Sequence, residues 1–177
     1  MNRTTLLALA EFPQHLAAHY AAIPVEFKHW RPASWAGIPS EHYTAHEQIC
    51  HVRDIETDGY QERFRRTLDE QHPFLPGVDG DALAIERSYA TSDATAVLEA
   101  FRVARTRTLE LISQLTPQQF ARTAEFEDYG NVTLRSLVHY LCSHDQQHLA
   151  GLQWLLGQIE GLPKSEMSAP GRKATGK

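Results

Sequence analysis

Four stretches of the chain repeat apolar residues at helical spacing. From about Thr4 to Ile23, the positions Leu6, Leu7, Ala10, Leu16, Ala17, Tyr20 and Ile23 form one stripe. Pro13 falls inside it and is expected to kink or split that helix. Three more helices are expected where prolines are missing. None of the nine lies within 44–71, 92–115 or 133–160, each long enough for roughly five to seven turns. In the second of these windows the stripe is Val97, Leu98, Phe101, Ala104, Leu111, Ile112 and Leu115. In the third, Leu134, Leu137, Val138, Leu141, Leu152, Leu155, Leu156 and Ile159 fall within about 50° of one line, since successive side chains rotate by about 100°.

Start signals agree with these windows. Thr44 with Glu47 reads as a capping box, in which the hydroxyl accepts from a free backbone N–H and the carboxylate reaches back. Ser92-Asp93 precedes the third helix. Thr116-Pro117 with Gln119 repeats the cap for a short turn. Gly130-Asn131 marks a turn, and Thr133 can cap the last helix. No stretch shows sustained period-2 alternation, so no strands are expected. The fold class is all-α, a four-helix bundle with long connecting loops. Segments 24–43 and 72–91 are about twenty residues each, and connections that long often form lids or site walls. The chain reads as one domain over 1–162, followed by a polar, disordered tail at 163–177, with no internal repeat.

Composition narrows the function. The chain has 177 residues, of which 42% are hydrophobic and 22% charged, a globular balance able to bury one core. Two cysteines cannot build a disulfide framework, so a reducing, cytoplasmic setting is the expectation. No apolar run approaches the roughly 20 residues of a bilayer span, and no signal peptide or membrane partner is expected. Net charge is −5, and the tail after Pro163 carries +3, which leaves −8 on the remainder. A body that acidic disfavours nucleic acid.

The unusual number is ten histidines. His148 falls near the middle of the apolar line of the last helix and His144 near its edge, one turn apart in His144-Asp145-Gln146-Gln147-His148. Such a pair can converge on one metal ion. The plainer reading is two core histidines that each find a hydrogen bond. The inward direction favours the metal, because unpaired imidazoles in an apolar core are costly.

Helix 44–71 carries a false lead. His46 and His51 are five residues apart, which rotates them by about 140°, so they cannot chelate one ion as a metalloprotease pair does. His51 has other neighbours. Glu47, His51, Asp54, Asp58 and Glu62 form one polar ridge. Facing solvent, it is an acidic surface patch. Lining a cavity, it offers His51 as a third ligand, with the carboxylates supporting it or accepting protons. Spacing leaves both open. Cys50 and Cys142 read as small buried hydrophobes. The remaining histidines read mostly as exposed or loop residues. His139 comes nearest to an exception, being on the helix of the pair, yet it is five residues from His144 and points elsewhere.

Two segments carry a family resemblance: Tyr43-Thr44-Ala45-His46-Glu47-Gln48-Ile49-Cys50-His51-Val52-Arg53-Asp54 and His144-Asp145-Gln146-Gln147-His148-Leu149-Ala150. The lead-in Gly130–Leu137 adds to them. The chain resembles the DinB-like, or YfiT-like, superfamily of metal-dependent hydrolases over roughly Leu6–Gln158, with Tyr43 where the family usually has Trp. The resemblance implies a four-helix bundle with a metal held by His51, His144 and His148, and it leaves out His46. Such a site suits Zn²⁺, Ni²⁺, Co²⁺, Fe²⁺ or Mn²⁺. Relatives include transferases that use small thiols such as bacillithiol, mycothiol or glutathione. The expected function is therefore a metal-dependent hydrolase or a small-thiol S-transferase acting on a small molecule. The alternative is a non-catalytic metal-binding or stress-response protein. Asp54, Glu47 or Asp58 could take the proton or orient His51, and the resemblance favours Asp54. Arg53 is the candidate for binding the carboxylates of a low-molecular-weight thiol. A homodimer is expected from the same resemblance.

Overall fold

The computed structural model describes residues 1–163, so residues 164–177 of the expected tail lie outside the described residues. Helix α1 spans Arg3–Ala22 and passes Pro13 without breaking. The second long rod is α2, Ala45–Asp54, then a π-helical stretch, Ile55–Gln61, then α3, Glu62–Asp69. A short helix α4 follows at Gly80–Glu86. The remaining helices are α5, Ala94–Gln114, the single turn α6, Pro117–Phe120, and α7, Leu134–Glu160. Thr44, Asp93, Thr116 and Thr133 cap α2, α5, α6 and α7 with their side chains. Helices α1 and α2 each pack against both α5 and α7, which closes a four-helix bundle. No helix of the described residues is long and apolar enough to cross a membrane.

The structure departs from the sequence reading in two places, and of the two outcomes expected at Pro13 it shows no split. A three-stranded sheet is present: β1 (Phe74–Leu75) runs parallel to β2 (Thr123–Phe126), which pairs antiparallel with β3 (Gly130–Thr133). The strands hold two to four residues, too short for alternation to register, although β2 does alternate exposed and buried. The turn expected at Gly130-Asn131 lies just before it, where Asp128 and Gly130 adopt φ of +65° and +70°. Pro13 does not split α1. Its missing N–H frees the carbonyl of Leu9, four residues back. Arg105 Nη1 takes up that carbonyl at 3.1 Å.

That contact belongs to a polar layer across the middle of the bundle. The apolar core forms two clusters. One gathers Leu9, Ile55, Phe64, Ile112, Leu137 and Leu141, and the other Phe12, Leu16, Val52, Phe101, Leu152 and Leu155. Between them lie polar side chains of the π-helical stretch, α5 and α7. Arg105 is 1% exposed and uses all five of its N–H donors. Nε and Nη2 reach Glu56 at 3.0 and 2.9 Å, and Nη1 and Nη2 reach Asp145 at 2.7 and 3.0 Å. Thr108 donates to Glu56 at 2.6 Å. Burial drives the Asp145 carboxyl up to about 7 against the pull of Arg105, and the charge of Glu56 adds a smaller push in the same direction.

Removing one partner of a buried ion pair strands the other, at a cost of about 3–5 kcal/mol. Arg105→Met should lower unfolding free energy by about that amount, read as a fall in the urea midpoint. Glu56→Gln, Arg105→Met and Asp145→Asn combined should recover most of it. A loss under about 1 kcal/mol for the single change would show that the layer does not clamp the bundle.

Candidate metal centre

Three imidazoles meet above this layer. His51 comes from the last full turn of α2, and His144 and His148 from one face of α7. His144 Nε2 lies 3.3 Å from His51 Nε2 and 3.1 Å from His148 Nε2. Ligands about 2.0–2.1 Å from a tetrahedral ion stand about 3.3–3.4 Å apart, so this spacing fits a metal. A carboxylate joins them. Glu41, from the segment before α2, places its oxygens 3.4 Å from His148 Nε2 and 3.9 Å from His51 Nε2. One ligand atom from each of the four residues lies within 4.8 Å of all the others, so the group could hold an ion.

The tautomers are consistent with that use. His148 Nδ1 hydrogen-bonds Gln48 Oε1, so Nδ1 carries the proton and Nε2 presents a lone pair. Gln48 Nε2 in turn donates to Ser40 Oγ at 2.8 Å, which ties Glu41's segment to the site. Gly151 permits this approach, because a Cβ there would collide with Ser40 and come within 2.8 Å of Gln48 Nε2. Gly80 does the same for His51, whose ring edge would lie 2.8 Å from an added Cβ. The Tyr43 ring lies tilted 4.9 Å from that of His51 and its hydroxyl donates to Asp81 at 3.0 Å, which joins the segment before α2 to α4. The Nδ1 atoms of His51 and His144 are buried without a partner.

Burial lowers the basicity of all three histidines, most strongly His144 and His148, where repulsion from the neighbouring imidazoles adds to it. At His51 the carboxylates of Glu41, Asp54 and Asp81 oppose the lowering without cancelling it. Neutral imidazoles are the form that binds metal. A cavity of about 470 Å³, lined by Glu41, Tyr43, His51 and residues 78–81, opens beside them. Segments 24–43 and 72–91 are therefore walls of the site.

The other sequence candidates lie elsewhere on the rod. Asp54 is 1% exposed and is gripped by Arg53 at 2.7 and 2.9 Å, by Arg87 at 2.8 Å and by the Tyr89 hydroxyl at 2.6 Å. Desolvation would raise its pKa, but these partners outweigh it and bring it below its ordinary value. Arg53 is thereby committed to Asp54. Glu47 completes the α2 cap and pairs with Arg31 at 2.6 Å. Asp58 is turned outward to Arg87 at 2.5 Å. The ridge is therefore neither wholly solvent nor wholly cavity, because the π-helical stretch changes its phase beyond Asp54. His46 faces away from the cluster and bonds Tyr20 and Ser92, each at 3.0 Å. Cys50 is buried against Ser92 at 3.0 Å, and Cys142 is half-buried.

Comparison with known proteins identifies the group. A sequence-family profile described as the DinB superfamily matches residues 8–152. The chain belongs to the DinB superfamily. Among solved structures it is similar to YfiT from Bacillus subtilis, described as a probable metal-dependent hydrolase with an unusual four-helix bundle topology. The two are 21% identical, with a TM-score of 0.77 over 90% of each chain. No curated protein sequence matches this one. On the DinB bundle, Glu41, Gln48, Gly80 and Gly151 are site residues that sequence reasoning missed. Gln48 had one readable signal: it sits one turn before His51.

Gln48→Ala should lower metal affinity about 10- to 100-fold while leaving all four cluster residues in place. Isothermal titration with Zn²⁺ checks this. A second prediction concerns pH. The unfolded imidazoles titrate near 6.5 and the folded ones lower. In that window the unfolded chain binds more protons, so stability is present above about pH 6.5 and is lost as pH falls below it. The urea midpoint of chelator-treated protein should drop between about pH 7 and pH 5. His144→Ala with His148→Ala should flatten that slope.

Proposed function

We propose that the protein is a metal-dependent hydrolase that holds one divalent transition metal on His51, His144 and His148. The observation that carries this reading is the convergence of three imidazoles, with His144 Nε2 at 3.3 and 3.1 Å from the Nε2 atoms of His51 and His148, and with His148 fixed in the metal-binding tautomer. Bound there, the ion would polarise a carbonyl and make water more acidic. Glu41 then has the position of the proton acceptor. Its side chain is 48% exposed, it faces the cavity, and it lies nearest the Nε2 atoms. Asp54 suits that role less well, since two guanidiniums and a hydroxyl hold it as the anion. Tyr43 and Gly80 hold the His51 ring, and Gln48 holds that of His148. The hydrolase description of YfiT supports the choice of reaction. A thiol-transfer route lacks the support expected from Arg53, which Asp54 occupies.

Protein purified without a nickel column should contain about one equivalent of transition metal by inductively coupled plasma mass spectrometry, and His144→Ala with His148→Ala should lose it. Glu41→Gln should keep the metal and lower kcat on 4-nitrophenyl acetate by about a hundredfold or more. A wild type that neither contains metal nor takes up Zn²⁺ would remove the mechanism and leave a binding protein.

A further inference from the structure

A second buried cation in the bundle has no counter-ion among the described residues. Arg63, on α3, is 7% exposed. Arg105 is matched by two carboxylates, whereas no carboxylate of the described residues lies within 4.0 Å of Arg63. Its Nε is buried without a hydrogen-bond partner, and Nη2 makes one long bond, 3.5 Å, to the carbonyl of Pro76. The guanidinium lies 5.0 Å over the Tyr60 ring and 4.5 Å over that of Phe126. Aromatic faces return less than desolvating an ion costs.

The surroundings suit an incoming anion. Arg63 lines a cavity of about 220 Å³ with Gly59, Gly77 and Val78. A Cβ at Gly59 would stand 3.1 Å from Nη1, so glycine keeps the guanidinium uncrowded. The two acids on the same cavity are engaged elsewhere, Asp58 with Arg87 at 2.5 Å and Glu62 with Arg65 at 2.6 Å. Val78 also lines the cavity beside the histidines. The Tyr60 ring under the Arg63 guanidinium also lies 6.2 Å from the ring of His144.

We infer that Arg63 anchors an oxyanion, the carboxylate or phosphate of a small acid whose reacting end lies at the three histidines. A planar guanidinium with free N–H donors matches either group by paired hydrogen bonds. The anchor itself stands on Arg63 alone, and its assignment to the substrate rests on the function proposed above. The substrate is then an acid some distance from its scissile bond, and a neutral ester lacks half of its recognition.

The direct test observes the Arg63 Nε–H resonance in ¹⁵N-labelled, metal-free wild type, titrated at constant ionic strength with glutarate and, separately, with inorganic phosphate. Arg63→Lys assigns the resonance. A saturable shift with at least one anion, absent from exposed Arg65, is expected, and the anion that saturates first names the group. Gly59→Ala, which retains the guanidinium and crowds it, should weaken the response. A resonance that stays still with both anions, or drifts together with Arg65, overturns the anchor. In zinc-loaded protein, Arg63→Gln should raise KM for 4-nitrophenyl succinate about tenfold more than for 4-nitrophenyl acetate. Equal effects overturn the assignment to substrate. Because the first titration contains no metal, a chain that binds the anion but no Zn²⁺ refutes the metal reading and leaves the anchor standing.

Discussion

Everything in this bundle is arranged around one buried guanidinium. Arg105 leaves α5 and joins the π-helical stretch through Glu56, α7 through Asp145 and α1 through the carbonyl that Pro13 releases. A cation in an apolar interior is tolerated only when its donors are filled. Filling five donors demands that all four long helices arrive at one height. Hydrophobic packing alone tolerates sliding. The clamp does not, so it sets the axial register of the helices.

The metal centre inherits that register. Asp145 follows His144 directly and lies three residues before His148, and its carboxylate reaches Arg105 while the imidazoles turn to His51. The same turn of α7 therefore faces the clamp on one side and the histidines on the other. On the opposite rod, His51 and Glu56 are five residues apart and divide the same two duties. His144 Nε2 comes within 3.1–3.3 Å of the Nε2 atoms of His148 and His51 because the backbones beneath them are fastened one layer away.

How much of this the sequence shows depends on how local each signal is. The four long helices are legible from proline-free windows, caps and stripes. His144 and His148 are legible because a regular helix fixes the angle between them. His51 is not settled by spacing. Its ridge begins in the interior and ends in solvent, and the change of phase comes from a π-helical stretch that α-helical arithmetic does not anticipate. Glu41 belongs to an irregular segment, where no period assigns direction. The pairing of Arg105 with Asp145 spans 40 residues and Glu56 is 49 away, so only the fold brings them together. A trace was nonetheless present. Phe101, Ala104, Arg105, Thr108 and Ile112 share one buried face, and a charge on such a face needs a partner. The strands escaped notice because two to four residues cannot establish a period.

The π-helical stretch has a consequence for how the chain can vary. Each residue of an α-helix turns the rod by about 100°. A π-helical residue turns it less, so the seven residues of Ile55–Gln61 cover about the rotation of six α-helical ones. Losing one residue there, with α-helix restored, would keep the second half of the rod in phase with His51. Restoring α-helix at the present length would instead rotate everything beyond it by about 100°, taking Phe64 and Thr67 out of the core and Arg63 off its aromatic shelf. The stretch acts as a gear between two halves of one rod, one geared to the histidines and the other to the sheet end of the bundle. Its extra residue and its wide turn can be lost together, but neither can be lost alone.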